Sequence, residues 1–81
     1  MADKKALQSW VLEALQQLNG QGTVVEVSKV VWQLHESDLR ASEDLFYTWQ
    51  YDIRWAAQQL RDDGRLRRAT APRSREPWRL P

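Results

Sequence analysis

The chain has no cysteine and a single histidine, His35. Disulfide bridges are excluded, and so is a zinc site assembled from cysteine and histidine. Eighty-one residues without such staples must hold their fold by packing alone. Glycine and proline are sparse, three of each, and Gly20, Gly22 and Gly64 are too scattered to form a phosphate-binding loop. No apolar run approaches the roughly 18 residues of a membrane span. The N-terminal Met-Ala-Asp-Lys-Lys-Ala leads into an amphipathic stretch, so the chain reads as soluble and cytoplasmic, with no membrane partner.

What is present is apolar bulk. Five tryptophans, two tyrosines and one phenylalanine stand among 42% hydrophobic residues, and large rings give the most burial per residue. This length suits one domain spanning residues 1–81. Net charge is only +1, which argues against coating nucleic acid by bulk electrostatics. The charge is polarised, however. Residues 1–39 carry three lysines against five acids, whereas from Arg65 onward six arginines face only Glu76. That distribution points to an anionic partner near the C-terminal end.

Apolar residues Leu7, Trp10, Val11, Ala14, Leu15 and Leu18 recur at helical spacing and predict a first helix over residues 3–19, ended by Gly20. Thr23 stands three residues before Glu26, the pattern of a reciprocal capping box. Val27, Val30, Val31 and Leu34 then predict a second helix ending near His35, with a very short strand at Val24-Val25 as a competitor for its start. Ser42, followed by Glu43 and Asp44, is placed to cap a third helix running to about Asp63. Projected at about 100° per residue, Phe46, Trp49, Ile53, Ala56, Ala57 and Leu60 fall on one arc, while Thr48, Tyr51, Trp55, Gln58 and Asp62 lie off it. Asp62-Asp63-Gly64 reads as a helix-ending turn.

Beyond Gly64, residues 65–70 and 77–80 alternate in the manner of strands, with Trp78 and Leu80 on one side. Residues 71–76 between them carry Pro72 and two arginines, the makings of a basic hairpin loop. The expected fold is α+β: three helices followed by a C-terminal two-stranded β-hairpin, the order of a winged helix-turn-helix. Its expected core comprises Leu7, Val11, Leu15, Leu18, Val27, Val31, Leu34, Trp49, Ile53, Ala56, Leu60, Leu66, Trp78 and Leu80.

The stretch from Ile53 to Leu66, Ile-Arg-Trp-Ala-Ala-Gln-Gln-Leu-Arg-Asp-Asp-Gly-Arg-Leu, followed by Pro-Trp-Arg-Leu, resembles the winged-helix domain at the N-terminus of Mrr-type restriction endonucleases. Trp55, Ala56, Leu60, Gly64, Leu66, Trp78 and Leu80 carry the likeness. Where that family commonly has Arg-Gly before the second-strand tryptophan, this chain has Glu76-Pro77. The resemblance implies a DNA-binding fold and, with no nuclease domain in these residues, no cleavage.

Catalytic chemistry finds little support in the residues themselves. Asp3-Lys4-Lys5 has an acid and lysines but no acidic strand before it, and metal-dependent hydrolysis needs several convergent acids. His35 has no histidine or cysteine companion and is expected at the surface, and one histidine cannot serve the scattered serines as a relay. The chain is therefore expected to be a non-enzyme with no cofactor, no metal and no small-molecule substrate.

Duplex DNA is the favoured partner, with the third helix in the major groove and the basic loop on the backbone. Thr48, Gln50, Tyr51, Arg54 and Gln58 are the expected helix contacts, and Arg73, Ser74 and Arg75 the loop contacts. Such a protein would serve as a transcriptional regulator or a detached restriction-type recognition module. The alternative is a protein-interaction module that uses an exposed Tyr51/Trp55 patch, or a homodimer formed through that patch, the first helix or the Trp32 region.

Overall fold

Helices form where the apolar periodicity places them. The computed structural model describes residues 4–67 and 77–81. Among these, α1 covers Ala6–Gln17, α2 Val24–Arg40 and α3 Asp44–Asp62. Two short strands, β1 at Gln21–Gly22 and β2 at Trp78–Arg79, pair antiparallel, so the architecture is α+β. Among the described residues no helix is long and apolar enough to cross a membrane.

The first helix stops at Gln17, two residues short of the expected end at Asn19. Asn19 takes the left-handed conformation with φ 63°, and the Gly20 amide donates 2.7 Å back to the Leu15 carbonyl. Together with the Asn19 amide on Gln16, this is a Schellman closure in which asparagine tolerates the left-handed position. At the end of α3 glycine does hold that position. Gly64 has φ 76°, and the Arg65 amide donates to the Leu60 carbonyl at 2.8 Å. The Asp62-Asp63-Gly64 stretch is thus a helix end.

The capping box of α2 is formed in both directions: Thr23 Oγ1 accepts from the Glu26 amide at 3.2 Å, and Glu26 Oε1 accepts from the Thr23 amide at 2.9 Å. Val24 and Val25 open the helix, so the competing strand at those two residues does not form. The strand lies earlier, at Gln21–Gly22, where Gly22 is buried opposite Trp78 and a Cβ would fall 2.7 Å from Leu18 Cδ1.

The second helix also runs past the predicted end to Arg40, bending at His35, whose φ of −129° and ψ of 22° are not helical. Beyond the bend Leu39 is fully buried, a core residue that an end at His35 overlooks. Leu34, expected inside, is 41% exposed. The buried arc runs through Val27, Val31 and the half-buried His35, and Leu34, one residue before His35, is rotated about 100° from it.

Ser42 does not cap α3. Its hydroxyl donates to the Asp38 carbonyl in the preceding helix, and the side chain is buried. Glu43 occupies the cap position with φ 49° and ψ −106° and offers no side-chain cap hydrogen bond. The Leu45 amide donates to the Ser42 carbonyl at 3.0 Å, so residues 42–45 make a type II′-like turn with glutamate where glycine is favoured.

α1 packs against both other helices. The core combines Leu7, Val11, Ala14 and Leu15 from α1 with Val27, Val31 and Leu39 from α2. The third helix adds Leu45, Trp49, Ile53, Ala56, Ala57 and Leu60, and Leu66 and Trp78 close it. Leu18 and Leu80 are half-buried and pack against its edge.

Among the described residues, the C-terminal strand pairs with the segment ahead of α2 as well as touching the chain that leaves α3. β2 pairs with β1 in the register Gln21 to Arg79 and Gly22 to Trp78, extended by the Leu80 amide on the Gly20 carbonyl at 2.8 Å. Residues 65–67 form no strand. Of the expected hairpin one rung is present among the described residues, from the Arg67 amide to the Arg79 carbonyl at 2.9 Å. The rest of that first strand and the loop at 71–76 lie outside the described residues.

Leu60 is fully buried, so Leu60→Ala is expected to cost about 2–5 kcal/mol in urea unfolding, a large share of the stability of so small a domain. Glu43→Gly is expected to act oppositely. It relieves backbone strain and raises stability by about 1 kcal/mol, which calorimetry should read as a rise of roughly 4–8 °C in Tm.

Candidate nucleic-acid interface

Burial of one face of α3 fixes what the other face shows. With Trp49, Ile53, Ala56 and Leu60 locked inside, Gln50, Tyr51, Arg54 and Gln58 are all exposed along the outward side, and Thr48 is exposed beside them. The structure therefore brings together five of the predicted contact residues on one helix face. Arg73, Ser74 and Arg75 lie outside the described residues. The chain passes out of the described part at Arg67 and returns at Pro77, and the Arg67–Arg79 rung holds those two regions side by side.

The five are not equally available. Thr48 Oγ1 donates to Asp52 Oδ2 at 2.7 Å, and Gln58 Nε2 donates to Asp62 Oδ1 at 3.1 Å, each one helical turn ahead. Both side chains are engaged by a carboxylate that would repel phosphate. Arg54 makes no ion pair among the described residues, so its guanidinium keeps its donors for a partner.

The most exposed large apolar side chain is one the sequence reading passed over. Tyr47 is 83% exposed and Tyr51 79%. They stand one turn apart on the polar side of α3, since Tyr47 lies four residues before Tyr51. Trp55, the expected companion of Tyr51, is half-buried against the core, with Lys4 Nζ 4.6 Å from its ring centroid.

Charge on this side of the molecule is mixed. Asp44, Asp52 and Asp62 lie on α3, while Arg65, Arg67 and Arg79 gather where β2 meets the chain leaving α3. Arg61 lies over the Trp78 ring at 5.9 Å, which ties the helix to the strand. Arg79 Nε donates to Gln21 Oε1 at 3.2 Å, tying β2 to β1 by side chains as well as backbone.

A second surface feature flanks the helix face. Between the first half of α2 and the first half of α3 lies an open groove of about 670 Å³. Val24, Val25, Trp32, Phe46 and Trp49 give it an apolar lining, and among the described residues Lys29 and Arg54 are its charged ones. Trp32 and Trp49 stack at 5.9 Å with planes 13° apart, and the Arg40 guanidinium lies 5.2 Å from the Trp32 ring centroid.

His35 is not the plain surface residue expected of it. Its ring stacks on Trp10 at 4.0 Å, its Nε2 donates to Glu13 Oε1 at 2.6 Å, and its side chain is only 17% exposed. It clasps α1 to the bend in α2, a structural task. Asp3 lies outside the described residues, and among the described ones no three His, Cys, Asp or Glu side chains are grouped to hold a metal ion.

The exposures predict a selective optical signature. In photo-CIDNP with a flavin dye, Tyr47 and Tyr51 should both polarise strongly in dilute protein, whereas Trp49 and Trp78 should stay silent. A silent Tyr51 would show that the outward face is covered. Compared with known proteins, the chain matches no family model, no curated protein and no solved structure.

Proposed function

We propose that this chain is a winged-helix module that binds duplex DNA and carries out no reaction on it. The observation that carries the reading is the outward face of α3, where Gln50, Tyr51 and Arg54 project from a helix whose opposite face is fixed in the core. Glutamine and arginine are the side chains suited to bidentate recognition of adenine and guanine edges in the major groove. Two further features support it. The element order is helix, strand, helix, helix, strand, and the arginines at positions 65, 67 and 79 sit where the chain enters and leaves residues 68–76.

In this reading Arg54, Gln50 and Tyr51 read bases, with Thr48 and Gln58 in supporting positions, while Arg73, Ser74 and Arg75 hold phosphates. Carboxylates on α3 keep affinity modest, and no cofactor is required. An 81-residue unit reading a short site gains affinity by pairing with a second copy or by joining a larger assembly.

An HSQC titration of the full chain with a mixed-sequence duplex at low salt tests the proposal. Shifts should centre on Gln50–Arg54 and on residues 73–75, and log affinity should fall against log salt by about 0.9 per neutralised phosphate. Arg54→Ala should cost about 1–3 kcal/mol and relax sequence preference, whereas Arg73→Ala with Arg75→Ala should weaken all sequences alike and flatten the slope by about one unit per arginine. Asp52→Asn should strengthen binding, because it removes a negative charge beside the reading face. Peaks at Arg54 and 73–75 that ignore DNA while a protein partner shifts Tyr51 and Trp55 would overturn the reading in favour of an interaction module.

A further inference from the structure

The groove between α2 and α3 is not accounted for by DNA binding. Its apolar lining, Val25 above all at 59% exposed, offers nothing to a phosphate, and a duplex laid there would desolvate its own backbone against hydrocarbon. Unpaired bases would find little to stack on, since Trp49 is buried and its ring is already stacked on Trp32. We propose that this groove receives an acidic amphipathic helix from a protein partner, with apolar anchors over Val25, Trp32 and Phe46 and carboxylates directed to Lys29 and Arg54.

Charge decides the sign of the partner. Lys29 and Arg54 come from opposite walls, and among the described residues neither makes an ion pair and no acidic residue lines the groove. Arg40, paired with Glu36 at 2.8 Å, adds a third cation over the Trp32 and Phe46 rings. An apolar peptide flanked by lysine would meet like charge on both walls, whereas one flanked by glutamate meets opposite charge on both.

Shape decides its conformation. The α3 wall runs from Phe46 to Arg54, about 12 Å along the helix axis, and the α2 wall from Val24 to Gln33 is of similar length. Each wall presents two to three turns of helix, a length that suits a partner helix inserting residues at i, i+4 and i+7. The volume of about 670 Å³ lies within the range of ordinary ligand sites and holds a few side-chain anchors. Gln50 and Arg54 belong both to this groove and to the outward face of α3, so a bound helix and a bound duplex would compete for them.

The probe is a 14-residue acetylated and amidated peptide with leucine, phenylalanine and leucine at i, i+4 and i+7 and alternating glutamate and alanine elsewhere. In HSQC titrations of the full chain, its addition should shift residues 24–33 and 46–54 together with the Trp32 indole N–H. Replacing every glutamate of the peptide by lysine should weaken binding at least tenfold. Lys29→Glu should do the same for the glutamate peptide and should favour the lysine peptide. Val25→Gln should reduce affinity several-fold with Tm unchanged, since Val25 packs against little.

Equal binding of the lysine peptide, or no groove shifts at millimolar peptide, would overturn the proposal. So would groove peaks that broaden with protein concentration alone, which would assign the groove to a second copy of this chain. Shifts of Val25 and Trp32 with duplex DNA but not with the peptide would assign it to the nucleic-acid interface instead. Failure of the duplex to bind anywhere leaves these peptide outcomes intact, so the two readings are tested separately.

Discussion

Everything this surface can do depends on one packing constraint, the burial of the α3 stripe formed by Trp49, Ile53, Ala56, Ala57 and Leu60. A helix is free to rotate about its axis until an apolar face is committed. Once these five side chains interlock with α1 and α2, a rotation of even a few tens of degrees would expose leucine and isoleucine at about 1.5–3 kcal/mol each. The azimuth of Tyr47, Gln50, Tyr51 and Arg54 is set in the same act. The small residues Ala56 and Ala57 lie on that face and leave room for the neighbouring helices. Exposed side chains on α3 are thus held by a rigid element, which any sequence-reading surface requires.

The two surfaces proposed for α3 are adjacent and differ in kind. On the outward side polar and aromatic groups project into water, and two of them are tethered to aspartates on the next turn. On the flank facing α2 the lining is apolar and the charges are cationic. Gln50 and Arg54 stand on the border between the two, and Arg54 makes no ion pair among the described residues. The C-terminal strand contributes by support. Trp78 is buried beneath Arg61, and the Arg67–Arg79 backbone hydrogen bond holds the arginines on either side of residues 68–76 together just past the end of α3.

Local signals were legible where the deciding atoms are neighbours in sequence. The Thr23–Glu26 capping box and the Gly64 helix stop are each complete within one or two helical turns and the structure contains them as read, and the α3 arc is buried from Trp49 to Leu60, with Leu45 rather than Phe46 at its start. Misreadings fall where a competing contact took the residue, one turn back for Ser42 and on another helix for His35. Ser42 carries the right side chain to cap α3, yet its hydroxyl turns back to Asp38 and leaves Glu43 in a left-handed conformation. Leu34 fits the valine stripe by spacing, but the buried arc passes from Val27 and Val31 to His35 and leaves Leu34 on its exposed flank. His35 looked solitary because Trp10 and Glu13, which hold it, lie on another helix.

By itself, then, the sequence determined the number, order and approximate extent of the helices, the apolar face of each and the concentration of arginine after Gly64, because periodicity, caps and charge are properties of contiguous residues. Only the tertiary structure decided that β2 pairs with Gln21–Gly22, that α2 bends at His35 to bury Leu39, and that Trp55 is half-covered. It also made the groove, whose two walls are separated by the whole second half of α2 and the turn after it. The physical reason is common to all four. Backbone pairing, helix bending and concavity each depend on which surfaces meet in three dimensions, and two-residue strands or a single non-helical φ carry too few local interactions to announce themselves in sequence.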